Sequence, residues 1–403
     1  MVLIMLMLFG YQMLVPQPEE PTPITQVASA ANKPAGAVSL SDSSLTMQSD
    51  SATSTVQDLV IETEDAHIVF SNKGGGLKEV SLKKYKTYDQ KPLYLIAENH
   101  NDLHLTIPTQ TGDVRSSNVF FSTDAKSQKL AANDSLVITY KANLNSTQSI
   151  EQTYVVRGTG YLIDYDIKST GFGVNDKSMQ LRWKNDLLQL ENDMIKNREV
   201  VTINYFTDEM NSLGTSATSN EANSIAEPVK WFTLKHKYFL SGLIAKNQAF
   251  NKFDMKADVN EQDSVVVKSM DVSAYIPLSA TEKGEANYQF YLGPNDYHLI
   301  KHINAADFDH NVYLGYAFLK PINKYFLVPI FNFIETFTSN YGLLIILLVI
   351  FVKTLLTPLT YKSYISMAKM KLLAPELEQI RQQNPDDMAK QQQDQMKLYQ
   401  QVG

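Results

Sequence analysis

Four polar side chains recur at helical spacing in an apolar segment near the end of the chain. They stand at positions i, i+4, i+7 and i+11 and are Lys353, Thr357, Thr360 and Tyr364. At about 100° per residue, all four fall within a sector of about 60° on one helix face. Such a stripe would form a wet groove in which an ammonium group attracts acidic or polar groups.

The segment that carries the stripe has the length of a membrane span. Tyr341 to Leu359 covers 19 residues, Lys353 is its only charged residue, and the span would measure about 28 Å as a helix. Pro358 leaves the carbonyl of Thr354 without its usual partner, which predicts a bend. A lysine that snorkels to the nearer interface explains the same position, so groove and snorkel both stay open on these residues alone.

Flanking charge sets the direction of this predicted transmembrane helix, residues 341–360. Lys362, Lys369 and Lys371 follow it before the first acid, Glu376. The positive-inside rule therefore predicts that residues 361–403 are a cytoplasmic helical region. Everything directly upstream of the span is then outside the cytoplasm.

An amphipathic helix is predicted immediately before the span, over residues 320–339. Its apolar stripe consists of Ile322, Phe326, Ile330, Phe333, Ile334 and Phe337. Pro329 lies inside the pattern and should bend it. The position before a span favours a helix in the membrane interface, although a helix packed on the preceding domain would show the same pattern.

Residues 57–315 predict a large antiparallel β-sandwich. Short alternating runs recur between turn-forming clusters; in YLIDYDIKS, for example, Tyr161, Ile163 and Tyr165 share one face. The run NKGGG at 72–76 follows a strand and lacks the residues of a phosphate-binding loop. It predicts a hairpin turn with positive φ.

The N-terminal residues predict a membrane anchor and a tether. Residues 1–15 carry no charge and are expected to anchor the chain, with a cleaved signal peptide as the alternative. Residues 16–56 are rich in Pro, Ser, Thr and Ala and predict a disordered tether. With the anchor entering from the cytoplasm, both membrane segments agree on one topology.

Composition excludes several classes of function. The absence of cysteine removes disulfides and thiolate chemistry, and a net charge of −7 argues against direct nucleic-acid binding. His298 and His302 have helical spacing, but no third ligand completes a zinc motif. No nucleophile motif organises the Ser, Asp and His residues, so we expect no catalytic residue, cofactor or metal.

Several strings resemble the YidC membrane protein insertases, relatives of the mitochondrial Oxa insertase. The most specific are YFLVPIFNFI and FVKTLLTPLTYKSYISMAKMKLLAPEL. The resemblance implies a periplasmic supersandwich domain and a groove charge, commonly Arg, at the position of Lys353. It also aligns Thr357, Pro358 and Tyr364 with groove or helix-bend positions, and it favours the groove over the snorkel.

The same resemblance implies a function and partners. We expect a multi-pass protein of the bacterial inner membrane, with both termini cytoplasmic, that assists the insertion of nascent membrane proteins and makes or breaks no bond. The Sec translocon, the ribosome and the lipid bilayer are expected partners. Four of the family's five core helices are missing from the 403 residues, so we expect an incomplete insertase.

A rival hypothesis is a membrane-anchored periplasmic β-sandwich that binds or modifies carbohydrate. It requires paired carboxylates and exposed aromatic platforms. Trp183, Asp186 and Trp231 are its candidates.

Overall fold

The computed structural model describes residues 55–109, 112–173, 177–313, 315, 319–338, 340–383 and 388–402. The predicted anchor at 1–15 and the predicted tether at 16–56, apart from its last two residues, lie outside these ranges.

Most of the described residues between 58 and 294 belong to nineteen strands. In chain order, these are β1 Asp58–Glu62, β2 Ala66–Ser71, β3 Gly76–Lys86, β4 Pro92–Ile96, β5 Asn101–Pro108, β6 Asp113–Arg115, β7 Gln128–Lys129, β8 Ser135–Asn143, β9 Ser149–Arg157, β10 Leu162–Thr170, β11 Ser178–Leu188, β12 Thr202–Phe206, β13 Met210–Leu213, β14 Glu221–Ile225, β15 Trp231–Lys235, β16 Phe239–Ala245, β17 Phe253–Asp258, β18 Val266–Pro277 and β19 Asn287–Pro294.

The strands form three sheets. Their orders are β4-β3-β2-β1-β7, β13-β12-β15-β16-β19-β10-β9-β8 and β14-β17-β18-β11-β5-β6. Within the described strands every pairing is antiparallel except that of β1 with β7. The predicted antiparallel sandwich is confirmed.

One hydrophobic core fills the space between the eight-stranded sheet and the two smaller sheets. The ring of Phe70 in β2 lies 5.0 Å from that of Tyr154 in β9, and the ring of Trp183 in β11 lies 5.6 Å from that of Phe290 in β19. Both contacts involve the same face of the eight-stranded sheet. The alternation read from β10 places Tyr165 in this core, as predicted.

The three-glycine run closes the β2–β3 hairpin. Gly74 and Gly75 have φ of 90° and 65°, in the left-handed region that glycine adopts without steric cost. A Cβ on Gly75 would lie 2.7 Å from Cγ of Phe121. The predicted positive-φ turn is confirmed, and its middle position also has no room for a side chain.

A second apolar cluster lies on the outer face of the eight-stranded sheet. It holds the segment 295–312, by which the chain leaves the sandwich, through buried Ile300 and Phe308. The Asn311 side chain is fully buried there, accepts hydrogen bonds from Asn204 and Thr233 at 2.8 and 2.9 Å, and donates to the carbonyl of Phe308 at 3.0 Å. Satisfied buried amides of this kind fix one arrangement, so the exit segment is docked on the sheet.

Eight α-helical segments accompany the strands within the described residues. In chain order, they are α1 Met194–Val200, α2 Leu278–Lys283, α3 Tyr297–Ile300, α4 Lys320–Ile322, α5 Val328–Glu335, α6 Tyr341–Leu372, α7 Ala374–Gln383 and α8 Met388–Val402. Short 3₁₀ turns occur at Glu98–His100, Ser116–Asn118 and Phe308–Asn311, and a π-helical turn, Asn323–Leu327, joins α4 to α5.

The amphipathic segment predicted over 320–339 is helical as far as Glu335, but it is not a uniform helix. The N–H of Val328 donates to the carbonyl of Asn323, five residues back, just before Pro329. Because proline has no N–H to donate to the residue four back, a wide turn before it accommodates the lost bond. Its position in the membrane interface stays a prediction.

Helix α6 extends twelve residues past the predicted end at 360. It begins at the cap of Asn340, whose Oδ1 accepts from the N–H groups of Gly342 and Leu343 at 3.0 and 3.2 Å. The sequence after 360 contains no Gly or Pro before Pro375, so nothing in it ends the helix earlier. The first part of the predicted cytoplasmic region therefore continues the spanning helix.

We expect Gly75→Ala to lower the free energy of unfolding by about 2 to 4 kcal/mol, since the positive φ and the contact with Phe121 both oppose a side chain. Gly284 has a φ of 73° and open space around its Cα, so Gly284→Ala is the matched control and should cost only about 1 kcal/mol. Urea unfolding followed by tryptophan fluorescence measures both. Equal losses in the two variants would contradict the steric argument.

His236 should make the sandwich acid-sensitive. Its ring is buried, and burial lowers its pKa to about 4. In the unfolded chain the His236 imidazole takes up a proton near pH 6.5, whereas in the folded domain it stays neutral down to about pH 4. The contribution of the neutral buried ring to the free energy of unfolding is therefore complete above pH 6.5 and is lost as pH falls toward 4. The loss should reach about 2 kcal/mol by pH 5.

The measurement is urea unfolding at pH 7 and pH 5 for His236→Gln, with His302→Gln as the control at an exposed histidine. The His236 variant should show a smaller stability difference between the two pH values than the wild type and the control. The same pH dependence in all three proteins would count against a neutral buried imidazole.

Candidate functional site

Helix α6 carries the predicted polar stripe. Among the described residues it is the helix whose length and composition suffice to cross a membrane. Its 32 residues correspond to about 48 Å, more than the roughly 30 Å of a hydrocarbon core. A helix of this length that crossed a membrane upright would project beyond the hydrocarbon core.

All four stripe residues lie on this one uninterrupted helix, so the register read from the sequence is kept. Lys353, Thr357, Thr360 and Tyr364 are all exposed. The stripe extends for roughly 17 Å along the helix axis. In the part of the chain that the structure describes, no carboxylate lies within ion-pair distance of the Lys353 ammonium.

The threonine hydroxyls of the stripe bond within their own helix. Thr357 Oγ1 donates to the carbonyl of Lys353 at 2.8 Å, and Thr360 Oγ1 donates to that of Leu356 at 2.9 Å. This lowers the cost of carrying hydroxyls through lipid but leaves them only acceptor capacity. The Lys353 ammonium and the Tyr364 phenol are therefore the donors that an incoming polar group could meet.

Pro358 does not interrupt α6, and the bend at this residue stays a prediction. Pro358 has no N–H that could donate to the carbonyl of Thr354, four residues back. The Thr354 hydroxyl donates to the carbonyl of Ile350 at 2.8 Å. Sequence spacing could locate these threonines on the helix but could not show that their hydroxyls turn back to the backbone.

Most other side chains of α6 are exposed. Its apolar side chains, such as Ile346 and Leu359, are exposed, whereas Leu344 is buried and Phe351 lies 6.4 Å, ring to ring, from Phe326 of the amphipathic segment. A bare apolar surface of this size requires lipid or further helices. The groove itself stays a prediction, of which α6 would be one wall.

The two histidines considered for zinc are not brought together on a helix. Helix α3 ends at Ile300, and His302 lies beyond it. A ring nitrogen of His298 lies 3.1 Å from the amide nitrogen of Asn332 in α5 instead. This contact connects the sandwich to the amphipathic segment.

The structure does not place the two tryptophans of the carbohydrate hypothesis at the surface. Trp183 and Trp231 are fully buried, and their indole N–H groups donate to Asn101 Oδ1 and to the carbonyl of Ala306 at 2.9 and 2.7 Å. Asp186 accepts a hydrogen bond from Ser269 at 2.5 Å. Large rings with a satisfied N–H stabilise a core better than they serve at a surface, and single residues in the sequence could not reveal this.

Sequence reasoning missed a polar groove of about 690 Å³ on the outer face of the six-stranded sheet. Arg182 forms a bidentate ion pair there with Asp271, at 3.0 and 2.6 Å. His104 bonds to Asp102 at 2.8 Å, which lowers the pKa of that carboxyl group. Alternation along β11 could have indicated a polar outer face but not its concave shape.

Two family patterns match the chain. The pattern described as YidC periplasmic domain covers residues 58–328, and the pattern described as 60Kd inner membrane protein covers residues 333–403. The first corresponds to the sandwich with its exit segment, and the second begins within α5 and includes the stripe.

Relatives with the name membrane protein insertase YidC match most of the chain. The protein of Amoebophilus asiaticus is 32% identical over 357 residues, which is 86% of this chain and 59% of the relative. That of Parabacteroides distasonis is 32% identical over 371 residues, which is 86% of this chain and 57% of the relative. The chain thus spans less than two thirds of these relatives' length.

Among solved structures, the sandwich shows a weak likeness to a galactose mutarotase related enzyme from Lactobacillus acidophilus. The TM-score is 0.34 at 11% identity, over 59% of this chain and 97% of that one. A galactose mutarotase-like protein from Lactobacillus casei gives 0.33 at 12%, over 59% of this chain and 100% of that one. Likeness at this level carries no conclusion about function.

The family matches and the relatives confirm the resemblance found in the strings around Lys353 and Pro329. One matching pattern is described as a periplasmic domain and the other as an inner membrane protein. The chain belongs to the YidC family.

Proposed function

We propose that this chain takes part in inserting proteins into the membrane, with the polar stripe of α6 as the surface that meets the substrate. The observation that carries the proposal is the ammonium of Lys353, which is exposed within the apolar segment 341–359 of α6 with no ion-pair partner in the described structure. Charged groups inside a membrane are costly and are kept where they act on a pathway for polar groups.

The stripe would work by electrostatic attraction and by shortening the path through hydrocarbon. An acidic or polar segment of a nascent protein enters a wet cavity at Lys353, while its apolar segments pass sideways into lipid. A lysine provides a point charge without the planar fork of arginine, so it favours attraction over a fixed bidentate geometry. The self-satisfied hydroxyls of Thr357 and Thr360 keep the surface polar without binding the substrate tightly.

The proposed topology follows from the charges around α6. Lys362, Lys369 and Lys371 lie past the apolar segment, on the cytoplasmic side by the positive-inside rule. The sandwich is then periplasmic, and the amphipathic segment lies in the periplasmic interface with its phenylalanines in lipid. Both ends of the chain are cytoplasmic in a multi-pass protein.

The proposed partners follow the same division of the chain. Nascent membrane proteins meet the stripe, and the Sec translocon meets the protein from the membrane or through the sandwich. The polar helices α7 and α8 lie on the proposed cytoplasmic side, where a translating ribosome is accessible.

The test uses residues 1–403 joined to the C-terminal part of the Amoebophilus asiaticus relative, so that the region of the relative that this chain does not cover is also present. In proteoliposomes we expect Lys353→Leu to reduce insertion of a substrate with an acidic translocated tail by roughly tenfold, the worth of one charge-assisted hydrogen bond. Lys353→Arg should retain activity and Lys353→Glu should lose more. Protease protection of the tail is the readout.

Lys362→Leu is the matched control, because Lys362 lies nine residues further along α6 and about 180° around the helix from Lys353. It removes the same charge from the opposite face and should leave insertion of the acidic tail unchanged. Equal activity of Lys353→Leu and the wild type, or equal losses at both lysines, would reject the role of the stripe.

A further inference from the structure

Three exposed side chains of the sandwich lie on two adjoining segments, one of which contacts the amphipathic segment that precedes α6. We define the interface patch as Tyr238, Leu299 and Lys301. Tyr238 lies in the turn between β15 and β16, and Leu299 lies in α3. The backbone N–H of Asn295 donates to the carbonyl of Tyr238 at 2.7 Å, which joins the hairpin turn to the segment that contains α3.

Strand register places this patch at one end of the eight-stranded sheet. Phe239, next to Tyr238, pairs with Pro294 at the end of β19. The turn between β8 and β9 lies at the other end, because Asn143 pairs with Ser149 there and Ser135 pairs with Arg157 at the patch end. Exposed Ser146 lies in that distant turn, about 30 Å along a nine-residue strand.

The start of α6 is joined to the segment 295–312 through the amphipathic segment. The hydroxyl of Tyr341, the first residue of α6, donates to Glu335, the last residue of α5, at 3.2 Å. The ammonium of Lys324, in the same amphipathic segment, lies 3.8 Å from a carboxylate oxygen of Asp309 and 5.4 Å from the ring of Tyr297 in α3. The residues that lead into the spanning helix therefore contact the segment that carries Leu299.

A second connection runs through α3. His298 contacts Asn332 of the amphipathic segment at 3.1 Å, while Ile300 is fully buried in the second apolar cluster. Leu299 lies between these two anchored residues and is 42% exposed. The residues on both sides of Leu299 are held in place, so its exposed side chain has a fixed position on the surface.

The chemistry of the patch suits a bilayer surface. Tyr238 is 53% exposed, and tyrosines are enriched where one end of the side chain is apolar and the other is wet. The exposed ammonium of Lys301 lies 5.8 Å from the ring of Tyr297. The ammonium of Lys237 also lies over the ring of Tyr238, 4.9 Å from its centroid, so the patch combines an aromatic ring with two cations.

We propose that the interface patch docks on the periplasmic surface of the bilayer. Tyr238 and Leu299 enter the boundary between headgroups and acyl chains, and Lys301 reaches a lipid phosphate. The sandwich is then held against the membrane and does not swing freely on its connection to α6. This requires that α6 spans the bilayer, but it does not depend on insertion activity.

The absence of cysteine from the sequence allows a direct test on the full chain. Tyr238→Cys, Leu299→Cys and Ser146→Cys, each labelled with an environment-sensitive fluorophore, are reconstituted in vesicles of phosphatidylethanolamine and phosphatidylglycerol. Lipids with a nitroxide near the headgroup, present in both leaflets, quench whichever way the protein is oriented. Iodide on both sides of the membrane reports exposure to water.

We expect the nitroxide lipids to remove roughly half or more of the signal at positions 238 and 299, as for a side chain within about 5–10 Å of the headgroup boundary. Iodide should quench these two probes weakly, and the probe at 146 should show the reverse. Quenching of all three probes by iodide alone would overturn the proposal, because the patch would then face water. Equal lipid quenching of all three would overturn it too, because adsorption would not be confined to the patch.

Discussion

A charged ammonium within the apolar segment 341–359 of α6 is the constraint on which the membrane part of this protein depends. Lys353 cannot be left in hydrocarbon without a cost of about 2.5 to 3.5 kcal/mol. The hydroxyls of Thr357 and Thr360 on the same face lower only their own cost, because they donate to backbone carbonyls of the helix. The apolar faces around them remain exposed and require lipid or further helices, and the proposed wet cavity would lie on the side of the stripe.

The sandwich and the membrane helix are connected by an ordered path. The exit segment is held on the eight-stranded sheet by the buried amide of Asn311, and α3 contacts the amphipathic segment through His298 and Asn332. The amphipathic segment then meets α6 where Phe326 approaches Phe351. A rigid domain attached in this way transmits its orientation to the membrane helix, which a flexible tether would not do.

The sequence predicted features that depend on local rules. The alternation in β10, the positive φ of Gly74 and Gly75, and the register of the stripe all follow from periodicity or from the backbone freedom of one residue type. Features that depend on distant partners were out of reach. The burial of Trp183 and Trp231 is fixed by strands and loops far away in the chain, and the contact of His298 with Asn332 joins residues 34 positions apart. Helix α6 continues to Leu372, beyond the predicted end at 360, because the positive-inside rule locates a membrane boundary and not the end of a helix.

The most direct measurement is the water accessibility of the stripe in the chimera with the complete groove. Thr357→Cys lies on the stripe, and Leu355→Cys lies about 160° away on the same helix. A membrane-impermeant charged thiol reagent, added from the cytoplasmic side, should modify the cysteine at 357 and leave that at 355 unmodified. Equal modification of both positions, or of neither, would contradict a wet cavity along one face of α6.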